Sequence, residues 1–440
     1  MRRNTANRAQ ISGQKFGGST RFAFRFKAGR LVILLIFLAV PAISKTKRIN
    51  YSIEDPGGRA MRNFYASLLR TATSSNDGNR PAITRIIHYG DSHIAADILT
   101  GALRQDFKTD FGNAGPGFIL AGRPWSYYAP GGVRSGTSPG WHITGLRQSD
   151  LIADGKYGLA GISFTAEKAG ESVNLTADCQ SFDIYFLSQP QGGDIEVRLD
   201  GFVSIPRFSL DSANYKATYL KVEGDEPGPH SIEIRTLTNK PVTIFGIDAE
   251  RDNNGVIYDE LGINGARANR FLTWDWSILA SNLKRREPNL IIVAYGTNEV
   301  GDADLDLSIY RAELAEILKR LHKSAPTASL LVIAPPDRAI RIGRHWQTIP
   351  VLPQFVNVQR QVALSSGAAF WDLFHATGGT GSIAKWAKES PALAQGDHTH
   401  LTSAGYKYVA SLLYQELMRG YDRYLSAESN GANSHAGHKQ

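Results

Sequence analysis

Asn289-Leu-Ile-Ile-Val-Ala-Tyr295 is an apolar run with no polar break, and it constrains the fold more than any other stretch of the chain. A strand without a polar side has both faces covered, the condition of a parallel sheet clothed in helices. The flanking sequence agrees. Leu307 to His322 repeats apolar residues at helical spacing, with Tyr310, Leu314, Ile317, Leu318 and Leu321 on one side. Ser329 to Ala334 is another apolar strand, stopped by Pro335-Pro336. Val351 to Ser365 reads as a helix, Ala368 to Leu373 as a strand, and Ser403 to Leu425 as a closing helix. Upstream, Thr84 to Tyr89 reads as a short buried strand ending at Gly90. Ile94, Ile98, Leu99 and Leu103 then follow near helical spacing. The alternation predicts an α/β fold built on a parallel sheet flanked by helices.

Between Trp125 and Ile247 the period changes. Asp194 to Asp200 and Ser231 to Arg235 alternate apolar and polar residues. Ser163 to Ala166 and Phe182 to Phe186 are further short strands, and Gly224-Asp-Glu-Pro-Gly-Pro229 reads as a turn. Short half-buried strands of this kind predict an all-β sandwich, long enough to be a domain. The α/β pattern resumes after it. Residues 45–124 and 248–425 are therefore expected to form two parts of one domain, with 125–247 inserted. Residues 426–440 are small and polar and are expected to be a disordered tail.

The formal charge of +8 suggests nucleic acid until it is located. Eight of the 49 basic residues lie within residues 1–44, where there is no acid, leaving 41 against 41 in the body. A neutral body excludes a phosphate-tracking stripe, so no nucleic-acid partner is expected. The basic leader precedes an apolar run from Leu31 to Ile43, which is short for a membrane span and suited to an export signal. Residues 1–44 are expected to be a signal peptide or an N-terminal anchor, with Ala42-Ile43-Ser44 offering small residues for cleavage. The lone cysteine, Cys179, excludes an internal disulfide and reads as a small buried residue.

Four polar blocks interrupt the α/β pattern in order: Gly90-Asp91-Ser92-His93, Gly262-Ile263-Asn264-Gly265, Gly296-Thr297-Asn298-Glu299 and Asp397-His398-Thr399-His400. Ser92 follows a strand's C-terminal end, where α/β folds hold their reactive groups. A serine hydroxyl is a weak nucleophile until a histidine takes its proton and a carboxylate orients that histidine. His400 and Asp397 have the spacing for those two tasks on a turn leading into the helix at Ser403. A tetrahedral intermediate also needs donors for its oxyanion. The candidates are the Ser92 N–H, the Gly265 N–H and the Asn298 amide, with Gly262 as an alternative to Gly265.

These blocks resemble those of the SGNH (GDSL-like) hydrolases, with GDSH standing where the family's name has GDSL. The resemblance implies a flavodoxin-like hydrolase fold, Ser92, Asp397 and His400 as the catalytic triad, and Ser92, Gly265 and Asn298 as the oxyanion hole. It implies no cofactor. A narrower resemblance covers most of the chain beyond the leader. His88-Tyr-Gly-Asp-Ser-His-Ile-Ala-Ala-Asp97, Phe111-Gly-Asn-Ala-Gly-Pro-Gly-Phe118 and Gly262-Ile-Asn-Gly-Ala266 are similar to segments of bacterial peptidoglycan O-acetylesterases, which carry an inserted carbohydrate-binding-like sandwich. This implies an exported esterase of the periplasm or cell envelope, removing the 6-O-acetyl group of N-acetylmuramic acid. Its partner would be acetylated peptidoglycan or a related glycan, with no obligate protein partner. The same triad would serve a polysaccharide O-acetyltransferase or an esterase of another acetylated polysaccharide. A wall-glycan-binding protein is the non-enzymatic alternative.

Other residues carry less. His88 and His93 flank Ser92 and suit structural or substrate-lining roles. His398 and His400 suggest a metal pair, but no further ligands stand at workable spacing and no metal is expected. Phe111 to Phe118 lacks the Gly-Lys-Ser/Thr of a phosphate cradle. Trp125, Tyr127, Tyr128 and Trp141 suit either a sugar platform or a β-domain core. Asp91 suits a helix cap.

Overall fold

Five strands form the parallel sheet: β1 (Ile83–Gly90), β2 (Gly255–Gly262), β3 (Leu290–Ala294), β4 (Ser329–Ile333) and β5 (Ala369–Trp371). The computed structural model describes residues 52–75, 81–147 and 150–436, so the leader expected over residues 1–44 lies outside the described residues. In space the strands run β2-β1-β3-β4-β5, every pair parallel. This is the flavodoxin-like order, and its reversal falls where β1 lies between β2 and β3. Clefts open outside the carboxyl ends of the strands at such a switch point.

The unbroken apolar runs divide their residues between two faces with period two. Ile86, Leu290 and Ile292 pack with Phe64, Leu103, Phe107, Val409 and Leu413 of the helices Arg62–Thr73, Leu99–Phe111 and Ser403–Ala436. Ile87, Tyr89, Ile291 and Val293 face the other way, toward Leu283, Ile317 and Phe355 of the helices Trp276–Arg286, Leu307–Ser324 and Leu352–Ser365. Each such side chain contributes about 1.5–3 kcal/mol of burial. The central helix is started by Asp306, whose carboxylate accepts the Ser308 and Ile309 N–H groups. β2 escapes a hydropathy reading because it carries Asp259 and Glu260, both buried.

In the stretch read as a β-sandwich the chain leaves this fold for a nine-stranded antiparallel sheet. Ser172–Ser188 and Lys216–Thr236 pair antiparallel along almost their whole lengths, so no break divides the sheet. Gly117–Ile119 and Val242–Glu250 also belong to it. The insertion does not stand apart from the parallel sheet. Phe182, Ile184 and Phe245 join the same apolar cluster as Ile87 and Val293. Cys179 is buried there, and burial pushes its thiol up to about 12.

Two expectations need correction. Gly224–Pro229 is not a turn between strands but part of the single strand Lys216–Thr236. Opposite it the register jumps from Cys179↔Gly228 to Ser181↔Glu223, so the extra residues bulge out of an otherwise continuous ladder. Pro227, having no N–H, is suited to that unpaired stretch. The closing helix runs through Ala436, into residues assigned to the polar tail. Ser426 and Ser429 return their hydroxyls to helix carbonyls, and Glu428 bonds Arg62 at 3.2 Å, so polarity alone does not end this helix. No helix among the described residues is long and apolar enough to cross a membrane.

Of the four aromatics considered for sugar stacking, Tyr128 and Trp141 are buried in the core. Trp125 packs against that core, and only Tyr127 is largely exposed, at 55%.

Candidate active site

β1 ends at Gly90, where a Cβ would lie 2.3 Å from Ile94 Cγ1 and 2.9 Å from the Ala294 carbonyl of β3. Only glycine lets the chain turn that closely against its neighbour. Asp91 then accepts the His93 N–H at 2.9 Å and starts the short helix Ser92–Ala95, which brings Ser92 to the switch point.

The other half of the site is a loop just before the closing helix. One Asp397 oxygen accepts the N–H groups of Thr399 and His400, each at 3.0 Å, while the other accepts His400 Nδ1 at 2.7 Å. Across the cleft, His400 Nε2 lies 2.8 Å from Ser92 Oγ. A carboxylate only accepts, so Nδ1 carries the imidazole proton and Nε2 presents its lone pair to the Ser92 hydroxyl. Partial burial pushes the Asp397 carboxyl up, but the His400 side chain and the two N–H groups outweigh it and hold it below its ordinary value. The ionised form is favoured where it orients the ring.

The glycine and asparagine blocks meet beside Ser92. Gly262 and Gly265 are distinguished by hydrogen bonding. The Gly262 N–H donates to Glu260 Oε1 at 2.7 Å, whereas the N–H groups of Gly265 and Ser92 enter no hydrogen bond among the described residues. A Cβ at Gly262 would strike Ala95 N at 2.3 Å. Gly265 has open space and a φ of +71°, so the backbone conformation, not packing, calls for glycine there. Asn298 Nδ2 donates to the Ala266 carbonyl at 2.9 Å, which leaves its second N–H for another acceptor.

Glu299, which sequence reasoning passed over, staples the two blocks together. Its Oε1 accepts the Ala268 N–H at 2.8 Å, and Arg267 adds an ion pair to Asp302 with Nε 2.7 Å from Oδ2. Burial raises the Glu299 carboxyl to about 7, since its second oxygen is buried without a partner. A raised carboxyl makes the folded protein most stable below the unfolded value of about 4.5. That contribution is lost as pH rises toward 7 and then levels off. The stability of Glu299→Gln relative to wild type should therefore rise by up to about 1.4 kcal/mol for each pH unit across that window. Urea unfolding at several pH values measures it, and a constant difference would mean that Glu299 is ionised throughout.

The flanking histidines are buried. His88 Nδ1 lies 2.8 Å from the Tyr258 hydroxyl, and burial lowers its imidazole to about 3. His93 Nδ1 lies 3.1 Å from the Tyr406 hydroxyl, and its ring centroid is 5.5 Å from that of His400. It is lowered too, by burial above all. His398 turns to other partners than His400, bonding the Gly396 carbonyl at 2.8 Å and stacking on Trp346. A wider concavity of about 940 Å³ lies at the N-terminal ends of the strands, lined by Arg70, Arg85, Glu250 and Lys284. It holds none of the Ser92, His400 and Asp397 set, so volume does not locate the chemistry.

Residues 246–408 match the family model of the GDSL-like lipase/acylhydrolases, a stretch that contains Gly265, Asn298, Asp397 and His400. Those residues form a GDSL-like acylhydrolase domain. The match begins after Ser92, which the fold returns to the acylhydrolase domain through β1. A solved structure of a peptidoglycan O-acetylesterase superposes with a TM-score of 0.71 at 23% identity, covering 84% of this chain and 99% of that one. The acylhydrolase fold with its insertion is thus shared along nearly the whole of that protein. A family two carbohydrate esterase from Cellvibrio japonicus is 14% identical over 67% of this chain and 99% of its own, with a TM-score of 0.28. An acetylxylan esterase mutant from Geobacillus stearothermophilus is 19% identical over 38% and 73%, also with a TM-score of 0.28. Superpositions that loose bear no weight. No curated protein matches the chain significantly in sequence.

Proposed function

We propose that this protein is an exported serine esterase that removes O-acetyl groups from cell-wall peptidoglycan, at the 6-position of N-acetylmuramic acid. The observation that carries the chemistry is the relay from Ser92 Oγ to His400 Nε2 at 2.8 Å and from His400 Nδ1 to Asp397 at 2.7 Å. The Ser92 oxygen attacks the acetyl carbonyl carbon as His400 takes its proton, and Asp397 stabilises the imidazolium. The Ser92 and Gly265 N–H groups and the spare Asn298 N–H receive the oxyanion, each such donor contributing about 2.7–4 kcal/mol. Collapse breaks the bond to the sugar oxygen, which leaves with the proton held by His400. Water, deprotonated by His400, then attacks the acetyl-enzyme and releases acetate and the free serine. No step calls for a metal or a cofactor.

The substrate assignment draws its support from the motifs around Ser92 and from the superposition on a peptidoglycan O-acetylesterase. The test is acetate release from O-acetylated peptidoglycan and from acetylated xylan, with and without a chitooligosaccharide acceptor. Acetate from peptidoglycan, with no acetylated acceptor, is expected. Acetylated acceptor in place of acetate would make the protein a transferase. Activity confined to xylan would move the substrate, and tight wall binding without turnover would leave a binding protein.

A further inference from the structure

A cationic hairpin lies against the loop that carries His400. Ala339–Ile342 and His345–Thr348 pair antiparallel as a two-stranded sheet separate from both larger sheets. Its base is tied to the site on two sides. The Ala339 N–H donates to the His398 carbonyl at 3.0 Å, and Arg338 donates to the carbonyl of Thr297, the residue before Asn298. Further along, the Trp346 indole stacks on the His398 imidazole, with centroids 3.9 Å and planes 11° apart.

Register then decides which side chains accompany the stacked ring. Arg341 stands directly opposite Trp346, so the two leave the same face of the hairpin, the face toward the Asp397–His400 loop. Ile340 and Ile342 leave the opposite face. Arg341 and Arg344 are exposed and enter none of the ion pairs among the described residues. From Arg338 to Thr348 the segment holds three arginines and a histidine and no acid. One sign only, beside a cleft, concentrates anions there.

We propose that this hairpin is a substrate-binding arm for the anionic part of the acetylated glycan. In it, Arg341 pairs with a carboxylate borne by the sugar, and Trp346 anchors the arm to His398. The inference rests on the peptidoglycan reading. Muramic residues carry a carboxylate on the lactyl group or on the peptide attached to it, whereas chitin-type sugars carry none. Arginine suits the task because its planar fork takes a carboxylate bidentately and is weakly hydrated.

The test compares Arg341→Gln and Arg341→Lys with wild type on four substrates. These are intact O-acetylated peptidoglycan, the same glycan stripped of peptide by an amidase, O-acetylated chitooligosaccharide, and 4-nitrophenyl acetate. For Arg341→Gln, KM on the anionic glycans relative to KM on the two neutral esters should rise about five- to tenfold, with kcat little changed. The lysine variant, which keeps the charge but not the fork, should recover only part of that ratio. Wild-type KM on peptidoglycan should rise with salt, and the glutamine variant should lose much of that dependence. A rise on intact glycan alone assigns the peptide carboxylates, a rise on the stripped glycan alone assigns the lactyl carboxylate that the amidase frees, and a rise on both shows that the arm takes either. Equal losses on all four substrates would reduce Arg341 to a structural role and overturn the proposal, as would an unchanged ratio. Wild type that deacetylates chitooligosaccharide but not peptidoglycan would overturn the functional reading itself, and this inference with it, before any variant is consulted.

Discussion

Ser92→Ala should abolish ester turnover, lowering kcat by about 10⁵–10⁶-fold, as expected when the nucleophile of an interdependent triad is removed. The loss should be nearly complete because the three groups work as one. Without the Ser92 oxygen no acetyl-enzyme forms, and His400 has no serine hydroxyl to deprotonate. The residue is half-buried, and its side chain bonds only His400 among the described residues, at 2.8 Å. The variant should consequently fold as wild type does, with a melting temperature nearly unchanged. Steady-state hydrolysis of 4-nitrophenyl acetate measures the rate, and mass spectrometry after mixing reports the acetyl adduct at Ser92. Residual catalysis by binding and the oxyanion donors alone should remain detectable above the uncatalysed rate. An alanine variant retaining more than a few per cent of wild-type kcat would place the nucleophile elsewhere.

Arg286→Met should cost about 3–5 kcal/mol of stability, the usual consequence of stripping one partner from a buried ionic cluster. Arg286 is 1% exposed at the seam between the parallel sheet and the insertion. Its Nε bonds Asp259 Oδ2 of β2 at 2.6 Å. Its Nη1 bonds Asp248 at 2.9 Å and Glu250 at 2.6 Å, both on the last strand of the insertion. Arg85 of β1 adds two bonds of 2.8 Å to Glu250. Two guanidinium groups thus face three carboxyls. Burial pushes Asp248 up, whereas the two arginines overcome burial at Glu250 and hold it down. The Glu250 contribution is present above its unfolded value and lost as pH falls, so it stabilises the protein at neutral pH. Removing Arg286 strands the carboxylates in the interior. Its deficit, measured by urea unfolding at pH 7, should shrink toward pH 5 as they take up protons. Arg286→Lys should recover little, because a single ammonium cannot span Asp259, Asp248 and Glu250. A loss below about 1 kcal/mol for the methionine variant would show that the seam is held by its apolar contacts alone.

Some of this protein was legible because the physics acts between residues close in sequence. The apolar run Leu290–Ala294 can only be a strand covered on both faces, and Tyr310, Leu314, Ile317 and Leu321 mark a helix face wherever that helix lies. Ser92 just past a strand, and Asp397 three residues before His400, are likewise local facts: a turn at the end of a strand, and a carboxylate within reach of a ring. The blocks could be recognised because the chemistry admits few residue types.

What escaped depends on groups far apart in the chain. β2 was unreadable because Asp259 and Glu260 are buried among partners that only folding assembles, Arg286 for the first and the Gly262 N–H for the second. Gly224–Pro229 has the composition of a turn, yet pairing with Ser172–Ser188 absorbs it as a bulge. Neighbouring residues were enough to read the α/β alternation, and to expect an insertion between its two parts and residue types able to activate a serine. Folding sets which glycine N–H is spent and which is without a hydrogen bond among the described residues, ties Glu299 to the Ala268 N–H, and puts Arg341 and Trp346 on one face of the hairpin beside His398. Periodicity and turn chemistry are written in neighbouring residues, whereas the occupancy of a hydrogen bond and the company of a charge are settled by whatever the rest of the chain brings alongside.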